Sequence, residues 1–555
     1  MLYNDSQRVG GTQSVAHTTT YDVVVLGSGA AALAAAATAA GHGAVRVGLF
    51  EKADVVGGTS AMSGGMIWIP LNHHMEAAGE PDDRDAVLAY LESLSHGMIL
   101  PELAEAYVDT GPEMLRWFED NTPVIFDIVE SFPDYHPEHP GGSTTGGRSL
   151  ECPLFDFNEL GEWRDRVSQS RQMPTHVLMN ETSLGRGGTT TISTDLMAER
   201  AAANLRGCGQ ALVGRLLRAC LDLGVEIHTG HRAVRLETNA HAVTGVRFDS
   251  ADGEVAVNAS AVILATGGFE WNREMVRDFI RGPLERTVAI ETNTGDGLKM
   301  AMRAGASIGN MQEAWWVPIM DVPDESGNMF SWLVNRERVR PHSIMVNRAG
   351  RRFANEAANY NAFGAAFHEL DPTSFTYKNL PAFLIMDRQY MSKGGIYTYR
   401  GEGPTPDWLH SADTVSELAE QIGVDARGLV ESVNRWNAQV ADLDDPDFGR
   451  GRSINDTHWG DGSRTRSATL GTLEEGPYYA VQVRPGALGT KGGPRTDGHA
   501  RVLDLDGDVI PGLYAAGNVM ASAMGMTYGG AGGTLGPGMV FGYAAGRHAA
   551  AVLTD

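Results

Sequence analysis

Residues 527–538 set a phenol against a run of glycines: Thr527-Tyr528-Gly529-Gly530-Ala531-Gly532-Gly533-Thr534-Leu535-Gly536-Pro537-Gly538. That run is too glycine-rich for a helix interior, but Met539 to Ala545 can continue as one. The expected product is a nest of backbone N–H groups at a helix start, which attracts negative charge. With the Tyr528 hydroxyl beside it, the nest can stabilise an oxyanion forming on a substrate carbonyl. A second kind of chemistry is encoded by Tyr21-Asp22-Val23-Val24-Val25-Leu26-Gly27-Ser28-Gly29-Ala30-Ala31-Ala32. An apolar strand runs into a glycine turn and then a small-residue helix, so a pyrophosphate can rest on N–H groups at the positive helix end. Gly27 makes the turn, Gly29 permits close approach, and Ala32 takes the third position. Glu51 closes a second strand, Val45 to Phe50, where a carboxylate can accept a ribose hydroxyl.

The elements that must position these groups follow from length and patterning. At 555 residues the chain suggests roughly two to four domains or subdomains. Apolar segments with glycine turns fill the first half and the last tenth. Between them the chain is rich in Trp, Tyr, Met and Pro, including Trp315, Trp316, Trp332 and Tyr360, which suggests an inserted domain. The expected fold is α/β: a Rossmann-like dinucleotide-binding domain over 18–306 and 485–555, with an inserted α+β substrate domain over 307–484. The tryptophans are read as core. A helix follows Thr294-Gly295-Asp296-Gly297, and Arg501 to Leu505, Asp506-Gly507 and Val509-Ile510 read as a hairpin. Asp504, Asp506 and Asp508 mimic a calcium loop, but Val509 and Ala515 stand where glycine and glutamate are required. His136, His139 and Cys152 lack a fourth partner at metal spacing, so no metal is expected.

A formal charge of −25 disfavours nucleic acid and anionic lipid as partners. Cys152, Cys208 and Cys220 read as buried thiols of a reducing compartment. Met1 to Thr20 lacks the pattern of a secretory signal and reads as a frayed tail. The most apolar helix, Ala30 to Ala40, is too short to cross a bilayer, so a soluble cytoplasmic protein is expected.

Further glycine segments refine the cofactor. Gly57-Gly58-Thr59-Ser60, Ser63-Gly64-Gly65, Val262-Ile263-Leu264-Ala265-Thr266-Gly267-Gly268 and Gly512-Leu513-Tyr514-Ala515-Ala516-Gly517-Asn518 resemble segments that close over FAD in large flavoproteins. Together with Arg351-Arg352-Phe353-Ala354-Asn355-Glu356-Ala357-Ala358-Asn359-Tyr360, their order is similar to that in the flavoprotein superfamily of fumarate reductases and 3-ketosteroid dehydrogenases. The likeness covers nearly the whole chain. Fumarate reductases carry an arginine acid just after the Asn-Glu pair and a histidine just before Thr-x-Gly-Gly. Here Asn359-Tyr360 and Leu488-Gly489-Thr490-Lys491-Gly492-Gly493 stand in those neighbourhoods, so dicarboxylate chemistry loses its proton donor. By contrast, Tyr528-Gly529-Gly530-Ala531-Gly532 resembles the Tyr-Pro-Gly-Ala-Gly motif of 3-ketosteroid 1,2-dehydrogenases, with Gly529 in place of proline.

That resemblance implies FAD-dependent 1,2-desaturation of a 3-ketosteroid. Tyr528 and the N–H of Gly532 would hold the 3-keto oxygen, Tyr360 would remove the adjacent proton while hydride leaves for flavin N5, and Tyr135 would assist the base. A tyrosine normally titrates near about 10, so the base role needs a favoured phenolate. The implied FAD positions are Gly27, Gly29, Ala30, Ala31, Glu51 and Lys52, then Gly58, Thr59, Ser60, Ser63, Gly64 and Gly65. Ala265, Thr266, Gly267, Asp296, Gly517, Asn518, Gly533, Thr534 and Leu535 complete the set. Thr59 and Ser60 replace the histidine that attaches flavin covalently in some relatives, and His73 and His74 read as a surface turn, so dissociable FAD is implied. The partners implied are an apolar cyclic ketone, a steroid first, and a quinone-like or dye-like electron acceptor. Alternatives are an enone reductase, a dehydrogenase of another ketosteroid bond or of a smaller cyclic ketone, and a non-catalytic flavin-binding carrier or scaffold.

Overall fold

Val23, Val24 and Val25 are fully buried, and they form the centre of the strand Thr19–Leu26. Such a β-branched run suits a strand covered on both faces. In the computed structural model, which describes residues 19–188 and 190–554, this strand lies between Gly253–Leu264 and Val47–Phe50, with Val25 beside Ile263 and Leu49. The strands Val509–Ala515 and Glu226–His228 extend the parallel array on either side. Arg501–Leu503 adds an antiparallel edge, and Ala242–Ser250 with Arg232–Asn239 hangs from Gly253–Leu264. The tail expectation for Met1 to Thr20 lies outside the described residues up to position 18. Thr19 and Thr20 already pair with Val257 and Asn258.

The parallel array ends at the cofactor turn. Gly27 has φ +109°, and a Cβ there would stand 2.3 Å from the Ala265 carbonyl oxygen. Only glycine fits both that backbone and that approach. The following helix, Ala30–Gly41, is nearly all alanine, and the C-terminal helix Leu535–Thr554 packs along it. A Cβ on Gly542 would meet the Ala31 carbonyl oxygen at 2.4 Å, and one on Gly546 would meet that of Ala35 at 2.4 Å. Small residues on both helices therefore set a backbone-to-backbone seam. This helix begins at Leu535, earlier than the glycine run suggested. Pro537 falls in its first turn, where the missing N–H breaks no intrahelical bond.

A second sheet is built mainly from the middle of the sequence. Met329–Leu333, Ala314–Pro323, Tyr478–Thr490, Ala382–Met386 and Ser343–Val346 pair antiparallel in that order. Residues 484 and 485 lie inside the continuous strand Tyr478–Thr490, and Arg286–Thr287 also pairs with it. One strand thus belongs to both the middle segment and the C-terminal return. The helix after Thr294 runs Asp296–Arg303. Cys152, Cys208 and Cys220 are buried and free, and among the described residues no helix is long and apolar enough to cross a membrane.

The seam has a testable consequence. Gly542→Val forces side-chain atoms into the Ala31 carbonyl, and overpacking of this kind costs about 1–3 kcal/mol or more. Thermal unfolding should show a lower Tm, and bound cofactor should be lost with it. An unchanged Tm would contradict the tight seam.

Candidate active site

One cavity follows the glycine turns and continues to the tyrosines, with about 1790 Å³ of free space, part of it open to solvent. Its lining runs without a break from the glycine turns to Tyr135, Tyr360 and Tyr528. Gly27, Gly29, Ala30 and Ala31 line one end with Glu51 and Lys52. The Glu51 carboxylate accepts from the Ser28 hydroxyl at 2.6 Å and the Ala53 amide at 2.9 Å. Lys52 donates to Thr294 and Asp296 at 2.8 and 2.9 Å. Asp296, also paired with Arg232 at 2.9 Å, has its pKa lowered, with burial opposing the hydrogen bonds from Arg232 and Lys52.

Gly58, Thr59, Ser60, Ser63, Gly64 and Gly65 form a second wall. Ser60 Oγ caps the Ala30 amide at 3.0 Å, and Thr59 Oγ1 accepts from the Ile290 amide at 3.1 Å. Ala265, Thr266, Gly267, Gly517, Asn518, Thr534 and Leu535 complete the lining. Thr266 Oγ1 is buried without a partner, and buried hydroxyls are normally bonded. An orphaned hydroxyl beside a glycine cradle fits a bound FAD. Gly533 lies off the wall: a Cβ there would meet the Tyr528 ring at 3.1 Å, so it packs behind that ring. His73 and His74 do not line the cavity; both reach Glu119, at 2.8 and 2.9 Å.

At the other end Tyr135, Tyr360 and Tyr528 converge from three distant loops. Their ring centroids lie 5.2–5.4 Å apart, and the Tyr135 hydroxyl donates to that of Tyr360 at 3.0 Å. The Thr534 hydroxyl donates to the Tyr528 oxygen at 2.9 Å, which leaves the Tyr528 proton free for a ligand. Trp459 stacks on Tyr360 at 6.0 Å with its indole bonded to the Leu184 carbonyl at 3.0 Å. Burial pushes all three phenols up, Tyr360 and Tyr135 well above their usual range. The buried Arg338 guanidinium opposes this at Tyr135. Gly532 has φ +98°, and a Cβ there would stand 2.5 Å from the Ile67 carbonyl carbon. Among the described residues its N–H has no partner.

A polar frame beneath the cavity delivers Tyr360. Asn359 caps the short helix Tyr360–Ala365 by accepting from the Ala362 amide at 3.0 Å. Its own amide donates to the Tyr135 carbonyl at 3.3 Å, which ties two of the tyrosine loops together. Glu356, fully buried, pairs with Arg352 at 2.7 Å and Arg450 at 3.3 Å. Arg352 also holds Asp445 at 2.9 Å. Arg338 donates to the Ala358 carbonyl at 2.7 Å and to that of Glu356. The Arg-Arg-Phe-x-Asn-Glu segment thus acts as a scaffold for the tyrosine that follows it.

Two supports were not apparent from the sequence. Lys491 is fully buried, donates to the Thr527 carbonyl at 2.7 Å and lies 4.0 Å over Trp315. Burial pulls its pKa down to about 7. Trp315, read as core and indeed 2 % exposed, packs on Tyr528 at 4.8 Å. The sequence signal was a cation inside Leu488 to Gly493, which had been read only for the histidine it lacks.

Residues 22–535 match the family model described as FAD binding domain. The chain is 43 % identical over 537 residues to 4-oxocyclohexanecarboxylate 2-dehydrogenase of Sinomonas cyclohexanicum, covering 95 % of this chain and 92 % of that protein. It is 37 % identical over 573 residues to 3-oxosteroid 1-dehydrogenase of Mycobacterium tuberculosis, covering 96 % and 98 %. Among solved structures, 3-ketosteroid Δ1-dehydrogenase from Sterolibacterium denitrificans in complex with 1,4-androstadiene-3,17-dione aligns with a TM-score of 0.85 and 33 % identity, covering 96 % of this chain and all of that one.

The buried frame is open to test by Glu356→Gln. Removing one partner of a buried ion pair costs about 3–5 kcal/mol, because the remaining charge is left uncompensated. Differential scanning fluorimetry should show a clear fall in Tm. An unchanged Tm would mean that Arg352 and Arg450 do not depend on Glu356.

Proposed function

The chain belongs to the 3-oxosteroid 1-dehydrogenase family of FAD-binding oxidoreductases acting on CH–CH bonds, and from that premise we propose that it desaturates the bond between the α and β carbons of a cyclic ketone, a 3-ketosteroid first. The observation that carries this reading is the meeting of Tyr135, Tyr360 and Tyr528 in one buried cluster on the cofactor cavity. FAD held by the residues around the glycine turns would supply the acceptor for the hydride lost from the β carbon, with a quinone-like or dye-like partner as the proposed onward acceptor. The residue set around the glycine turns holds it without a covalent bond.

The chain's own residues perform the acid–base half of the reaction. Tyr528, with its oxygen already accepting from Thr534, donates its proton to the ketone oxygen beside the Gly532 N–H. Each such donor contributes roughly 3 kcal/mol toward the enolate. Tyr360 takes the α proton, with its hydroxyl held by the Tyr135 hydroxyl at 3.0 Å; burial and both neighbouring tyrosines raise its pKa, so the phenolate forms only toward alkaline pH. Because burial raises the Tyr360 pKa, the basic form is scarce at neutrality and grows as pH rises. Activity should therefore climb toward alkaline pH.

Charge favours a neutral substrate. The basic side chains lining the cavity are Lys52 and His231. Lys52 is held by Asp296, and the His231 amide bonds the Glu51 carbonyl at 2.9 Å, so both belong to the cofactor end. Phe132, Leu184, Leu333 and Trp459 surround the tyrosine end, which suits a flat apolar ring system. A second reading, desaturation of a 4-oxocyclohexanecarboxylate, is favoured by the 43 % identity to the Sinomonas enzyme.

An anaerobic titration of the purified yellow holoenzyme separates these readings. A 3-keto-4-ene steroid should bleach the flavin band near about 450 nm and yield the 1,4-diene, whereas Tyr360→Phe should lose most of that rate. Bleaching by 4-oxocyclohexanecarboxylate alone would select the second reading. No bleaching by any ring ketone at full FAD occupancy would overturn both and leave a flavin-binding carrier.

A further inference from the structure

We infer that the side-chain amide of Asn335 recognises a second, uncharged oxygen group on the substrate, a hydroxyl or an oxo, and so sets which ring ketones this chain accepts. The inference rests on the ring-ketone reading of the cavity. Asn335 lines that cavity and is 4 % exposed, yet its Oδ1 is buried with no hydrogen-bond partner. Among the described residues its amide nitrogen has no partner either. Buried side-chain amides are normally satisfied, and an orphaned one on a ligand cavity marks a place where the ligand completes the bond.

The other polar groups on this side are already used. Gln172 Oε1 accepts from the Leu333 amide at 3.2 Å, and its Nε2 donates to the Ser331 carbonyl. Its amide therefore serves to hold the strand Met329–Leu333. Asn518 Oδ1 takes the Trp315 indole N–H at 3.0 Å, Tyr135 donates to Tyr360, and Thr534 donates to Tyr528. Asn335 is left with hydrogen-bonding capacity to spare.

Its place in the fold is the end of a hairpin on the cavity wall. Leu333 pairs with Ile319, and the Val334 amide continues the same hairpin by donating to the Pro318 carbonyl at 2.9 Å. Asn335 therefore leaves the hairpin beside the strand that carries Trp315, the residue packed on Tyr528. The group it meets is a second oxygen, distinct from the carbonyl held by Tyr528. An amide that no protein contact orients can present its oxygen to a hydroxyl or, turned over, its nitrogen to an oxo group. Among the described residues no basic side chain lines the cavity at this end, so a carboxylate would meet no cation there. A site built to bond an oxygen discriminates strongly against the analogue that lacks it, because the amide is then left unpaired.

The test compares kcat/KM of the FAD-loaded enzyme for androst-4-en-3-one, its 17-oxo and 17-hydroxy derivatives and its 11-hydroxy derivative, in wild type and Asn335→Leu. Wild type should favour at least one oxygenated steroid about tenfold or more, and the leucine variant should bring that ratio close to unity. Its Tm should be equal or higher, since an unsatisfied amide gives way to an apolar side chain of similar size; a lower Tm would indicate a structural role and count against the inference. Asn335→Ser, which keeps a hydrogen-bonding group, should retain part of the preference. Turnover of all four steroids without preference, or an unchanged ratio in the leucine variant, would overturn the inference and leave the ring-ketone reading intact. Absence of turnover with every steroid would remove the steroid reading itself and this inference with it.

Discussion

The close approach of two small-residue helices is the constraint on which the rest of the structure depends. Ala31 and Ala35 offer their carbonyls to Gly542 and Gly546 at distances that leave no space for a Cβ. The first helix begins at the dinucleotide turn, and the second begins where the Tyr528 loop ends. Residues some five hundred positions apart are thereby fixed against each other, so the cofactor turn and the Tyr528 loop form one wall. Gly536 and Gly538, bonded back to the Gly532 and Thr534 carbonyls at 2.8 and 3.3 Å, carry that constraint into the loop itself.

On this wall the chemistry is assembled from pieces that are weak alone. A buried phenol is a poor base, and burial makes each of the three tyrosines harder to ionise. Inside an apolar shell of Trp459 and Phe132, the Arg338 guanidinium opposes this at Tyr135 and the Thr534 hydroxyl at Tyr528, whereas at Tyr360 both neighbouring tyrosines add to the effect of burial. The low-dielectric surroundings that raise the phenols also strengthen each oriented donor. Ion pairing is kept one layer back, in the Arg352–Glu356–Arg450 frame, where it supports Asn359 and Tyr360 without placing charge on the cavity wall.

Much of this was legible in the sequence because backbone geometry dictates residue type. Gly27 and Gly532 occupy positive φ with backbone against their α-carbons, so the glycines announce themselves, and Tyr21 to Glu51 reads directly as strand, turn, helix and strand. Tyr528 stands out beside its glycine run, whereas Tyr135 and Tyr360 are reached only through motif order. Nothing in local sequence brings Tyr135, Tyr360 and Tyr528 together; that depends on long-range packing. The start of the last helix was set too late because glycine content was weighed above the tolerance of a first turn for Pro537. Lys491 and Asn335 were missed for a related reason: a buried cation and an unsatisfied amide are defined by their surroundings, which no spacing records. Gly533 was grouped with the cofactor by its neighbours, yet it packs behind Tyr528.

The central claim is that the tyrosine cluster enolises a ring ketone, and proton exchange isolates that step from hydride loss. With the flavin held fully reduced under anaerobic conditions in D2O, NMR would follow deuterium entry at the α carbon of a 3-ketosteroid. Wild type should catalyse exchange at a rate that rises with pH, and Tyr360→Phe should fall to the uncatalysed rate. Undiminished exchange in the Tyr360→Phe enzyme would contradict the account.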